Sequence, residues 1–190
     1  MTDPGVNDDD FLLLYGSVEK PVVVVEIGFL WTRAGFAGEH IPRVKRHTRL
    51  LFSRAPGHPF QSDDLLAALP HAASLTASDW QAAASSFLSS LFLDSLCINP
   101  SERRVLLCSG PWLPLPFRNA LARALLSSFS VSSLVFSLGP VAALLPLGLR
   151  PPSALVLDFG HKYVSAGMIF IHSFQPTIYF PSFVLFSSHF

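Results

Sequence analysis

The first strong apolar run is Val22-Val23-Val24-Val25, opened by Pro21 and closed by Glu26-Ile27-Gly28. β-Branched side chains favour extended backbone, and an unbroken run of them predicts a strand buried on both faces. The turn Gly28-Phe29-Leu30 then leads to Trp31–Phe36 as a hairpin partner, with a second turn at Ala37-Gly38-Glu39. Further on the apolar period lengthens from two to that of a helix. Ser78-Asp79-Trp80-Gln81 has the spacing of a capping box, so a helix is predicted to start there. Trp80, Ala84, Phe87, Leu88, Leu91 and Ser95 share one face of it, which ends near Asn99-Pro100. Val105–Cys108, bounded by Ser109-Gly110-Pro111, predicts a short strand. Pro116 suits the first turn of a second helix burying Phe117, Leu121, Leu125 and Phe129. Leu134–Phe136 is the next strand, and Pro140 opens a helix through Leu144 that Pro146 and Gly148 must bend or stop.

Ala154-Leu155-Val156-Leu157-Asp158-Phe159-Gly160 repeats the design of Val22–Gly28: a hydrophobic strand, an acidic residue, one residue, a glycine. Strands and helices alternate between the two copies, as in an α/β domain with a mixed sheet. A carboxylate at the mouth of a strand can hold a hydrated cation, and a following glycine lets backbone N–H groups approach phosphate oxygens with no Cβ in the way. Two such turns facing each other make a clamp. The candidates are Glu26 with Gly28 and Asp158 with Gly160.

Val22–Arg43, above all Arg33-Ala34-Gly35-Phe36-Ala37-Gly38-Glu39 with Pro42-Arg43, resembles the first phosphate-loop segment of actin and the actin-related proteins. Asn99–Val105, Pro116-Phe117-Arg118 and the Leu121–Phe129 helix resemble the middle segment of that family, and Ala154–Gly160 its second phosphate loop. The likeness spans roughly residues 20 to 170. It implies the α/β superfold shared by actin, Hsp70 and sugar kinases, represented by its first lobe. The organisation expected is a flexible N-terminus over 1–20, an actin-like lobe over 21–170 and a non-homologous aromatic tail over 171–190. Leu96–Val105 and Ala142–Gly148 are most similar to the divergent actin-related subunit at the pointed end of the dynactin filament. That similarity implies other dynactin subunits and actin-like filament proteins as partners, a cytoplasmic, cytoskeletal location, and a part in dynein-based microtubule transport.

Members of this family that hydrolyse ATP carry Asp, Gly, Ser and Gly in the first loop and a Lys shortly after. This chain has Glu26, Gly28, Phe29, Leu30 and Arg33. Bulky Phe29 and Leu30 fill space where a serine and a glycine would cradle an anion. The second loop reads Asp158-Phe159-Gly160-His161-Lys162, without the family's second carboxylate, and the family's water-positioning glutamine falls near Gly139 and Pro140. The resemblance therefore implies vestigial phosphate-loop positions at Glu26, Gly28, Arg33, Asp158, Gly160 and Lys162, no catalytic or metal-ligating residue, and, as the cofactor candidate for a full-length form, ATP or ADP with Mg. A non-catalytic structural subunit is expected. The rivals are an ATP-binding actin-like switch and a nuclear actin-related subunit of a chromatin-remodelling complex.

Composition adjusts this picture in three places. Lys plus Arg equals Asp plus Glu at 13 each, so no global field draws the chain to nucleic acid or an anionic membrane. His40–Arg54 is locally basic, with Arg43, Lys45, Arg46, Arg49 and Arg54, and is expected to be a solvated loop. Cys97 and Cys108 stand too far apart for a zinc-ligand pair and are expected to be buried core thiols. The tail from Ile171 to Phe190 has no charged side chain apart from histidines, but Pro176, Pro181 and Gln175 make it a poor membrane-crossing helix. No Gly-X-Ser-X-Gly elbow, Gly-Lys-Ser/Thr phosphate loop or His-Glu-X-X-His pair occurs.

Overall fold

The computed structural model describes residues 20–48, 75–144, 153–161, 164–172 and 175–179. Strands β1 (Val23–Ile27), β2 (Trp31–Phe36) and β3 (Val44–His47) form an antiparallel meander. Helix α1 (Ala77–Ser89) leads to β4 (Arg104–Ser109), and helix α2 (Leu115–Arg123) leads to β5 (Ser133–Leu138). β4 pairs with β1, and β5 with β4, both in parallel, giving the order β3-β2-β1-β4-β5. This is the predicted mixed sheet. Short helix α3 (Gly139–Leu144) precedes a second sheet, the antiparallel meander of β6 (Ser153–Phe159), β7 (Val164–His172) and β8 (Gln175–Tyr179). β8 falls within the segment read as an aromatic tail.

The core lies where α1 and α2 cover one face of the large sheet. Val23, Val25 and Ile27 of β1 and Val105 and Leu107 of β4 meet Trp80, Phe87, Leu88, Leu91, Phe117, Leu121 and Leu125 from the helices, all of them buried. Phe117 ties the helices together, with Phe87 edge-on at 6.2 Å and Trp80 tilted at 5.9 Å between ring centroids. Phe129, expected on this face, is only partly buried against it.

Four expectations are corrected. The valine run is buried on one face only: Val24 is half-buried and Glu26 exposed, because the helices cover just one side of β1. Helix α1 is capped by Thr76, two residues before Ser78. Asp79 N–H donates to Thr76 Oγ1 at 3.2 Å, and Thr76 N–H donates to Asp79 Oδ2 at 2.8 Å. The box is thus closed by the shorter Asp. Part of the basic segment is no loop, since Val44–His47 forms the edge strand β3, where exposed Lys45 and Arg46 discourage further pairing. Its remainder from Arg49, with Pro56, Gly57 and Pro59, lies outside the described residues, as do Pro146 and Gly148. Finally, Cys108 is buried but Cys97 is exposed.

Cys97 has a structural reason to be outside. It adopts φ +53°, and Ser130 adopts φ +50°, both in the left-handed region. Each follows a wide helical turn, over Ser90–Ser95 after α1 and over Ala124–Ser128 after α2. Each is followed by a residue whose N–H reaches back six positions: Ile98 to Phe92 O at 3.0 Å and Val131 to Leu125 O at 3.1 Å. Both helices therefore end in the same left-handed stop, made without the usual glycine.

The second sheet leaves an apolar face open. Leu155 pairs with Met168 and Leu157 with Ala166, so these side chains share a face with Phe159, and Leu155, Leu157, Phe159 and Met168 are all exposed. No described helix is long and apolar enough to cross a membrane.

Candidate functional site: a cavity at the strand mouths

In an open sheet with parallel strands, the crevice beyond their carboxyl ends is where neighbouring connections diverge and a ligand can enter. A cavity of about 230 Å³ lies there. It is lined by the end of β1 and its turn (Glu26 to Trp31), the end of β4 (Ser109, Gly110 and Trp112), Gly139 after β5, and Asp158 to His161 after β6. The two strand-acid-X-Gly turns do face each other. Glu26, Gly28, Arg33, Asp158 and Gly160 all line this one cavity, while Lys162 lies outside the described residues.

The first turn is held from behind by Thr48. Its backbone N–H donates to Leu30 O at 2.9 Å and its hydroxyl donates to Gly28 O at 2.8 Å. That hydroxyl has one proton, so in the 3.0 Å contact with Thr32 Oγ1 it accepts, and Thr32 is the donor. Gly28 is required for close approach. Its N–H donates to Trp31 O at 3.0 Å, and a Cβ on it would lie 2.5 Å from that same oxygen. The amide that a phosphate would need is thereby taken up within the hairpin.

Aromatic rings line the cavity. Phe29 packs against Trp112 with centroids 6.0 Å apart and against His161 at 6.5 Å, so one side chain bridges the β1 turn, the β4 loop and the β6 turn. Trp112 lies so close over Gly110 that a Cβ there would stand 2.2 Å from its indole nitrogen.

The charges are largely settled among themselves. Glu26 and Arg33 are directly opposed across the β1–β2 hairpin, with Nη1 donating to Oε2 at 3.0 Å. Burial pushes the Cys108 thiol above its ordinary range, and the charge of Glu26, its register neighbour on β1, adds to the effect. Asp158 is exposed and makes no ion pair among the described residues, and no cluster of His, Cys, Asp and Glu there could hold a metal ion. The described groups thus do not fit a Mg-bound polyphosphate: the Gly28 amide is spent, the Arg33 guanidinium is matched to a carboxylate, and Phe29 lines the cavity.

Sequence reasoning placed both acidic turns but missed Trp112 and Thr48. Ser109-Gly110-Pro111 read only as a strand end, although a large indole two residues after a glycine was the available signal. Nothing local marks Thr48, whose role comes from β3 pairing with β2.

Comparison with known proteins agrees with this architecture. The family model named Actin matches residues 17–172. Actin-related protein 4 of Candida albicans (strain SC5314 / ATCC MYA-2876) is 24% identical over 161 residues, covering 80% of this chain and 33% of that protein. The chain thus spans about a third of the length of this relative. With one family model matched over residues 17–172, more than half of the chain, the chain belongs to the actin family.

Proposed function

We propose that this chain is a non-catalytic, structural actin-related subunit in which the phosphate clamp has been given over to side-chain packing. The observation that carries this reading is the ring of Phe29, which packs on Trp112 and His161 in the lining of the cavity. The Glu26–Arg33 pair supports it, because an arginine committed to a carboxylate offers a phosphate little net charge. Loss of the glutamine near Gly139 and Pro140 removes the side chain that would orient a water for attack. The site residues Glu26, Gly28, Arg33, Asp158, Gly160 and Lys162 are accordingly relics of a nucleotide site.

The assembly proposed is dynactin, where the subunit would contact other dynactin and actin-like proteins in the cytoplasm and serve dynein-based transport. Leu96–Val105 and Ala142–Gly148 support that choice by their resemblance to the pointed-end subunit. The match to Actin-related protein 4 supports an actin-related role and does not favour one assembly over another.

Two measurements test the proposal. Calorimetric titration of the 190-residue chain with ATP and Mg is expected to give no binding heat, and incubation no phosphate release. Tight binding with turnover abolished by Asp158→Asn would overturn it. Affinity purification from cell extract is expected to bring down dynactin subunits; recovery of chromatin-remodelling subunits in their place would refute the dynactin assignment.

A further inference from the structure

The cavity at the strand mouths retains volume after Phe29 and Trp112 have packed, and two groups that could hold an anion there are already engaged. An anion needs free N–H donors or unmatched positive charge. Gly28 N–H is bonded to Trp31 O, and Arg33 is bonded to Glu26. What the described lining offers beside them is the Asp158 carboxylate, without an ion pair among the described residues, and the aromatic rings of Phe29, Trp112 and His161 around the same space. Phe29 and Trp112 stand at 59° to one another, so they form a wedge, not a flat stack. A cation near the faces of such rings is attracted by their quadrupoles, and a carboxylate alongside adds a charge of the right sign. With Glu26 and Arg33 cancelling, the described charged groups lining the cavity sum to one negative charge.

We infer that this cavity binds a small organic ammonium cation, of the quaternary or methylated-amine class, between the Phe29–Trp112 wedge and Asp158. A volume near 230 Å³ has room for such a head group. Weakly hydrated ammonium suits the site better than a metal ion, because one carboxylate beside aromatic carbon cannot replace a metal's oxygen shell. The inference rests on the reading that the clamp no longer takes phosphate.

The test uses the full chain, with tetramethylammonium chloride and sodium tripolyphosphate as separate probes. The indole N–H resonance of Trp112 is identified by its loss in Trp112→Phe. Tetramethylammonium is expected to shift it saturably, sodium chloride at equal ionic strength to leave it in place, and tripolyphosphate to have no effect. Asp158→Asn should weaken tetramethylammonium binding roughly tenfold, and Trp112→Leu should abolish the response of the remaining cavity resonances. If Trp112→Leu does not fold, Asp158→Asn, an exposed and nearly isosteric change, decides the matter alone. Absence of a saturable shift, or equal affinity in Asp158→Asn, would overturn the ammonium site while leaving the retired clamp standing. Saturable binding of tripolyphosphate would overturn both.

Discussion

Arg33 stands directly opposite Glu26 across the β1–β2 hairpin, and their side chains join at 3.0 Å over the cavity that the two acidic turns share. Both side chains are about half exposed, at 41% and 50%, so solvent screens the pair. A double-mutant cycle on Glu26→Ala and Arg33→Ala should return a coupling of about 0.2–1 kcal/mol by urea unfolding. A coupling above roughly 2 kcal/mol would mean that the pair organises the hairpin instead of merely neutralising its mouth.

Phe87 is fully buried and meets Phe117 edge-on at 6.2 Å. Phe87→Ala removes a ring from the centre of the helix-on-sheet core and should cost about 3–5 kcal/mol. That is a large part of the stability of a typical domain, so the thermal transition should fall steeply or vanish. Phe129→Ala, at the partly covered rim, should cost clearly less in the same measurement.

Glu39 accepts hydrogen bonds from Arg43 Nε at 2.7 Å and from Phe36 N–H at 3.2 Å. The Arg43 hydrogen bond, chiefly, holds its carboxyl below the ordinary value of 4.5, against a smaller opposing effect of desolvation. A carboxylate with a depressed folded-state pKa contributes stability above its unfolded pKa and loses that contribution as pH falls through the folded one. Stability measured downward from about pH 5 should therefore decline less steeply in Glu39→Gln than in the parent chain. Identical slopes would show that the turn does not depend on the ionised side chain.

The two thiols should react in a fixed order. Cys97 is exposed on its left-handed stop, while Cys108 is buried and its ionisation is opposed by burial and by Glu26. Iodoacetamide at mildly alkaline pH should label Cys97 in the folded chain and Cys108 only after denaturant is added. Peptide mass mapping reads the result, and early labelling of Cys108 would contradict the placement of β4 inside the sheet.

Gly28→Ala should destabilise the chain by about 1–3 kcal/mol, because the added methyl meets a backbone oxygen that only a shift of the hairpin can clear. Gly139→Ala is the control at the same cavity, since its Cβ would make only an ordinary contact at 3.9 Å from Ser109 O. Equal losses in denaturant midpoints would count against the tight turn.

Much of this fold was legible because its signals are local. The β-branched run of β1, the helical stripe from Trp80 to Leu91 and the two acidic turns each fit within a few residues, and each was found. The cap of α1 slipped by two residues because Ser78-Asp79-Trp80-Gln81 and Thr76-Ala77-Ser78-Asp79 present overlapping boxes, and only the backbone at Thr76 is extended. The stops at Cys97 and Ser130 were invisible, since left-handed backbone is ordinarily advertised by glycine or asparagine. The one-sided burial of β1 depends on where α1 and α2 pack, which four valines in a row cannot encode. The cavity's aromatic wall was half read: Phe29 was noticed as an intruder, but its partners Trp112 and His161 come from chain far away.

The parallel register of β1 with β4 sets Val23 beside Val105, with α1 and much else between them in the chain. During synthesis β1 can fold back on β2 and β3 early, yet its other edge waits for a partner that the ribosome has not yet made. For that interval a valine-rich strand edge is open to any extended segment nearby, which is the situation that chaperones answer and aggregation exploits. The yield of folded chain should therefore depend more on what shields this nascent edge than on the strength of the finished core.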